Sequence, residues 1–420
     1  MGAGSSTSVR ASVHVRGAGV MVSFHRAASP QALEDWEEFG GYDLESLLVC
    51  GAVALLDADW IVKLADKDGA IIQPRQQLPP EAFVSLDQLK AACVAHKSLC
   101  LPVVVLSYPW LEPTHPDSKG HTLRMLASVL KTMLQHAPAW FPRIGVFWDY
   151  PSLYQHPDPM NNILRSEKEE ELFRQALSGL STLYAHQYTI VLRATRHPSG
   201  YPSTYSLPEG ANVASYADRG WCATESAFAC LTKSVFLCWD LGLLSGTHLE
   251  QEYPYEAMRD ECTLNGTRPA PLTPDAFAAS MAGKGFTNGK DDRPLVIRLY
   301  ADHFHHHFAK VTELMYSTLG WGDYHAEALA HVLESNALSR LECLRLASNN
   351  IGDKGAIAIA RALSAACPPK LQRIMLMDNK ICQAGREALE AAVATLDEER
   401  RSMLTGIEYQ QVEEEVAGPE

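Results

Sequence analysis

At 420 residues, with 46% hydrophobic and 20% charged content, the chain has the composition of a soluble globular protein and is too long for one ordinary core, so two or three domains are expected. A formal net charge of −14 argues against broad binding to nucleic-acid phosphates, which takes clustered Lys and Arg, but leaves room for a local cationic pocket for a phosphorylated small molecule. The ten cysteines form no C-x-x-C pair, and the even spacing of Cys222, Cys230 and Cys238 is not a zinc-ligand interval, so they read as reduced, buried thiols of a cytosolic protein.

The first thirty residues lack the apolar region of a signal peptide. Met1-Gly2-Ala3-Gly4-Ser5-Ser6 fits the pattern for N-myristoylation at Gly2. Two readings stand: an acylated address, helped by Arg10, Arg16 and Arg26 against anionic lipid, or a flexible tail of small residues. One acyl chain alone would give reversible membrane contact. Residues 1–30 are expected to be disordered. Residues 31–100 read as an acidic, mostly helical lead-in, with segments at 44–56, 59–66 and 85–95 and a loop at 76–80. The longest apolar stretch, 47–56, is about half a membrane span, so no transmembrane helix is expected.

From residue 101 short apolar runs alternate with amphipathic segments, the pattern of a parallel sheet. Strands are predicted at 102–107, 144–148, 188–192 and 234–239. Helices are predicted at 122–135, with Leu123, Leu126, Leu130 and Leu134 on one face, at 167–184 and at 220–231. The fold class is therefore α/β, a doubly wound, mainly parallel, flavodoxin-like sheet over 101–245. Such sheets bind ligands at the carboxyl ends of their strands.

A connector and helix occupy 246–310. His303, His305, His306 and His307 lie in that helix with Asp302 as the nearest carboxylate, and read as a solvated helix face rather than a metal site. Gly283-Lys284-Gly285 and Gly289-Lys290-Asp291 lack the order of a P-loop, and G-x-S-x-G is absent. An internal repeat follows over 311–396. Leu341-x-x-Leu344-x-Leu346-x-x-Asn349-x-Ile351 recurs thirty residues on as Leu371-x-x-Ile374-x-Leu376-x-x-Asn379-x-Ile381, and a weaker copy begins at Val311. The apolar positions should point inward from a short strand, the Asn should satisfy backbone groups at the turn, and the alanine-rich 355–363 should return as a helix. The pattern resembles ribonuclease-inhibitor-type leucine-rich repeats, a short α/β solenoid that implies a protein partner. The acidic tail, 397–420, reads as a frayed helix.

Three strand-end motifs fall in order in the α/β region: Leu106-Ser107-Tyr108-Pro109-Trp110, then Phe147-Trp148-Asp149-Tyr150-Pro151-Ser152-Leu153-Tyr154-Gln155, then Arg219-Gly220-Trp221-Cys222-Ala223-Thr224-Glu225. They resemble the Toll/interleukin-receptor (TIR) domain and its relative, the fungal heterokaryon-incompatibility (HET) domain. The S-Y-x-W form of the first and Gln155 of the second are closer to the HET branch. The third matches both, as Trp221-Cys222-x-x-Glu225 of the TIR branch and as Arg219-x-Trp221-x-x-x-Glu225 of the HET branch. Pro109, Trp110 and His156 depart from the TIR pattern. The resemblance implies Glu225 as a catalytic carboxylate and Ser107, Tyr108, Trp110, Asp149, Leu153 and Trp221 as substrate-binding residues. NAD would be the substrate, cleaved at its nicotinamide–ribose bond, rather than a resident cofactor. A carboxylate beside the anomeric carbon would stabilise the oxocarbenium-like state.

The alternative is a non-catalytic TIR/HET-like adaptor that self-associates, in which Trp221 fills the seam between helix and sheet and Glu225 pairs with Arg219. Either way the sequence predicts a cytoplasmic signalling protein whose repeats hold a protein partner.

Overall fold

Apolar runs and their caps set the element boundaries along the chain. The computed structural model describes residues 29–93, 100–136, 142–158, 161, 163–244, 254–264, 268–286, 289–404 and 406–408. The Gly2 motif and the acidic run at 413–415 lie outside the described residues. Before the repeats the elements are α1 (Pro30–Glu38), α2 (Tyr42–Val49), β1 (Leu55–Asp57), α3 (Ala58–Ala65), β2 (Phe83–Val84), α4 (Leu86–Ala92), β3 (Val103–Ser107), α5 (His121–His136), β4 (Gly145–Phe147), α6 (Asp149–Ser152), α7 (Glu167–Ala185), β5 (Ile190–Arg193), α8 (Gly220–Ala229), β6 (Cys238–Asp240), α9 (Tyr255–Thr263), α10 (Pro274–Ser280) and α11 (Gly289–Lys310). Side chains close several helix starts. Ser85 with Gln88 and Ser166 with Glu169 form reciprocal capping boxes on α4 and α7, and Asp57 caps α3.

The six-stranded sheet has the order β2-β1-β4-β3-β5-β6. β3 pairs parallel with β4 and β5, and β5 with β6. β1 runs antiparallel to both β2 and β4, so the sheet is mixed. The lead-in expected to be mostly helical thus contributes two strands. The apolar run 44–56 hid a boundary: α2 stops at Val49, Gly51 takes a left-handed φ of 78°, and the chain re-enters as buried β1.

Alternation along the strands divides the interior into two cores. Val104 and Leu106 face α5 with Leu123, Leu126 and Leu130, while Val103 and Val105 face the side of α7 and α8 with Leu180, Tyr184 and Phe228. α11 packs on α7 and α8 and buries Tyr300, Phe304 and Phe308 completely. The histidines on it are not one solvated face. His305 and His306 are exposed, but His303 turns in, meeting Ser181 Oγ at 2.5 Å and the edge of Phe228 at 5.5 Å. Burial pushes its imidazole down to about 4, so it is neutral.

The repeats follow as β7 (Glu313–Met315), α12 (Asp323–Glu334), β8 (Cys343–Arg345), α13 (Asp353–Ala366), β9 (Arg373–Met375), α14 (Gln383–Thr395), α15 (Glu398–Met403) and β10 (Gly406–Glu408). Their strands form a second, fully parallel sheet of order β10-β9-β8-β7. Leu314, Leu344, Leu346, Ile374 and Leu376 are buried, as the periodicity predicts. Asn349 does what its position implies. Its side chain accepts from the N–H groups of Leu319 and Trp321 at 3.0 Å and donates to the carbonyls of Tyr316 and Leu346 at 2.8 and 2.9 Å. Asn379 repeats the arrangement with Ile351, Leu346 and Leu376.

Three features were not read from the sequence. Thr318, Ser348 and Asp378, each thirty residues from the next, have left-handed φ of 60°, 56° and 54°. Asp323 accepts from the N–H groups of Gly352 and Gly355 in the following repeat, and Asp353 does the same for Cys382 and Gly385. A Cβ on Gly355 would lie 2.8 Å from Asp323 Oδ1 and 2.9 Å from Ala326 Cβ, so only glycine lets the helices approach this closely. Finally, the tail expected to be a frayed helix forms α15 and then adds β10 to the sheet.

The repeats share their core with the α/β region: one buried cluster runs from Trp36 to Leu404. At the junction the Tyr316 hydroxyl donates to the Leu231 carbonyl. The Trp321 indole donates to the Arg268 carbonyl at 2.8 Å, and both aromatic side chains are fully buried.

Candidate functional site

The three motifs arrive at neighbouring carboxyl ends of strands. Ser107 is the last residue of β3, Asp149 follows β4 at the start of α6, and Glu225 lies in the second turn of α8. Ser107 Oγ donates to Glu225 Oε2 at 2.5 Å and lies 2.6 Å from the Tyr216 hydroxyl. Since the serine has one hydroxyl hydrogen, giving it to Glu225 leaves Tyr216 as the donor to Ser107. The result is one ordered chain, Tyr216 to Ser107 to Glu225. The Tyr184 hydroxyl, near Glu225, gives its own proton to the Leu106 carbonyl at 3.1 Å.

Burial raises the Glu225 carboxyl to about 8; the Ser107 bond opposes this, and the nearby charge of Asp149 adds to it. Asp149 is also raised, chiefly by burial, although the Trp110 indole donates to its Oδ2 at 2.8 Å. The Tyr150 N–H donates to its Oδ1 at 2.6 Å. Raised to about 8, Glu225 is thus favoured as the neutral acid near neutral pH.

The structure therefore brings Ser107, Trp110, Asp149 and Glu225 to one strand-end cluster. Tyr108 packs edge-on against Trp148 at 5.8 Å. Leu153 is 4% exposed and belongs to the hydrophobic core. Trp221 does not join the cluster: its indole donates to Asp292 of α11 at 3.0 Å, at the edge of the core. Arg219 does not pair with Glu225. Its guanidinium is buried and donates to the backbone carbonyls of Trp110, Asn212 and Ala214, pinning the loop after β3 to the segment before α8. Carbonyls can neutralise a guanidinium's donors as a carboxylate would, and they come from segments whose approach no local spacing reveals.

Sequence reasoning missed Tyr184 and Tyr216. Both are single aromatics with no motif around them, and their role depends on the tertiary approach of α7 and residues 215–218 to the end of β3. Among the described residues no group of three or more metal-ligating side chains is assembled, and no helix is long and apolar enough to cross a membrane.

A family model described as a leucine-rich repeat matches residues 339–360, which span β8 and the first half of α13. No curated protein matches the chain.

Proposed function

We propose that the chain is a protein-binding scaffold in which the leucine-rich repeats hold a protein partner and the TIR/HET-like α/β region passes the signal on by self-association. The observation that carries this is the outer face of the repeat sheet. Strand register aligns Met315, Arg345, Met375 and Glu408 in one row beside Glu313 and Arg373 in the next. Met315, Met375 and the ion-paired Arg345 and Glu313 are partly exposed, and Arg373 and Glu408 are exposed. Thioethers and arginines side by side suit a protein surface, because both adapt to apolar and polar neighbours. In a capture experiment with the full chain, the double change Arg373→Glu and Met375→Asp should abolish a specific partner while leaving the circular dichroism spectrum unchanged. Undiminished capture of that partner by the variant would remove the repeat face from the proposal.

A second reading, NAD cleavage at the nicotinamide–ribose bond with Glu225 as the essential carboxylate, is favoured by one observation: Glu225 stands at the carboxyl end of β3 against Ser107. Two features weigh against it as the resting activity. Glu225 is protonated near neutral pH, and it is 9% exposed behind Tyr216 and Tyr184. Catalysis would need that enclosure to open and the acid to ionise.

A further inference from the structure

We propose that a cavity at the carboxyl ends of β5 and β6 binds a small molecule with a flat apolar body and an anionic group such as a phosphate monoester. The cavity holds about 530 Å³, within the size range of small-molecule sites. It lies where parallel sheets present ligand sites, walled by the connector and α10. Glu225 does not line it. Tyr216 is the partition, lining this cavity while its hydroxyl turns to Ser107.

The lining has two halves. On the polar side Arg193, 3% exposed, ends β5, donates to Ser226 Oγ at 3.1 Å and is ion-paired with Asp240 Oδ2 at 3.8 Å. Lys284 stands on another wall, 3.3 Å from Asp218, whose side chain is 62% exposed. Such a surface pair contributes little and is easily exchanged for a ligand anion. Asp240 is the sole carboxylate in the lining. Its Oδ1 is already taken by the Thr195 hydroxyl and, at 2.9 Å, by the Gly242 N–H. In a chain of net charge −14, a cavity whose two cations are matched by their neighbouring carboxylates, Arg193 by Asp240 and Lys284 by Asp218, is locally neutral rather than acidic. A guanidinium fork and an ammonium together suit a phosphate or carboxylate.

The opposite half is apolar. Phe277 stacks on Tyr300 with ring centroids 3.9 Å apart and planes 14° apart, and Met281 lies beside them. A flat body is the shape these walls accept, with the thioether adjusting to its edge.

Calorimetric titration of the full chain tests the assignment with 1-naphthyl phosphate, and with 1-naphthol and inorganic phosphate as its separated halves. The expected result is saturable one-site binding of naphthyl phosphate, about tenfold or more tighter than either half. Lys284→Gln should weaken naphthyl phosphate about tenfold and leave naphthol unchanged, the loss of one charge-assisted contact. Ala227→Phe should fill the cavity and abolish binding. Ser280→Trp, on an exposed wall, does the same if Ala227→Phe disturbs the circular dichroism spectrum. No saturable binding at millimolar naphthyl phosphate overturns the proposal, as does affinity untouched by the filling variants. Naphthol binding as tightly as its phosphate overturns the anionic half.

Discussion

Glu225 decides more at the scale of single residues than any other side chain. Its folded value of about 8 lies above the ordinary 4.5, so between those limits the folded chain keeps a proton that the unfolded chain has lost. Its contribution to stability is therefore full below pH 4.5 and falls as pH rises to 8. Glu225→Gln keeps the shape but cannot ionise. The variant should be more stable than the parent above pH 8, by an amount on the order of a few kcal/mol, and should lose that advantage near pH 4.5. Urea titrations of both proteins across this range measure it. Lys233, buried and lowered to about 7 by burial, changes in the opposite sense, gaining stability as pH rises from 7 towards 10.5, and cancels in the comparison. A glutamine variant less stable than the parent at pH 8.5 would mean that Glu225 is held ionised. The same variant bears on catalysis, since nicotinamide release that depends on this carboxylate should vanish with it and should rise with pH in the parent. Ser107, Asp149 and Glu225 were legible because each sits in a motif at a strand or helix end. The tyrosines that close around Glu225 and the carbonyl partners of Arg219 were not, because they come from elements distant in sequence.

At the scale of elements, two adjacent asparagines separate structure from decoration. Asn349 is buried and serves the backbone of two repeats, whereas Asn350 is exposed and reaches one carbonyl at 3.4 Å. Asn349→Ala strands two N–H groups and takes a donor from the Tyr316 carbonyl, while the Leu346 carbonyl keeps its bond from Asn379. It should lower stability on the order of 3 kcal/mol, while Asn350→Ala should change it by less than about 0.5 kcal/mol. Thermal melts of the pair check this, and equal effects would mean that the ladder of side-chain amides does not hold the turns. The thirty-residue period was plain in the sequence because leucines and asparagines recur at fixed offsets. β10 was hidden because Gly406-Ile407-Glu408 carries no leucine pattern and follows a charged stretch; only its pairing with β9 makes it a strand. β1 was hidden for a related reason. A short apolar run fits the inside of a helix as well as the centre of a sheet, and neighbours settle which.

At the scale of the whole molecule, the shared core predicts one cooperative transition rather than two. Tyr316 and Trp321 reach from the repeats into the α/β region, and α11 packs on α7 and α8 in the same buried cluster. Urea unfolding followed by tryptophan fluorescence and by far-ultraviolet circular dichroism should give coincident curves. Trp321→Ala, which opens a cavity and leaves the Arg268 carbonyl without its indole donor, should cost about 3–5 kcal/mol. Two separated transitions in the parent would show that the repeats fold on their own.

The chemistry of that junction is unequal on its two sides. The repeats contribute particular side chains, a phenol and an indole, while the α/β region answers with the main-chain oxygens of Leu231 and Arg268, which every amino acid possesses. Genetic drift should therefore be tolerated differently across the seam. A change at 231 keeps its carbonyl bond, whereas a change at 316 or 321 loses one, and 268 is constrained as well because the buried Arg268 guanidinium lies 5.2 Å from the Tyr316 ring. An exchange of repeat arrays between proteins would succeed only when the incoming first repeat brings its own tyrosine and tryptophan.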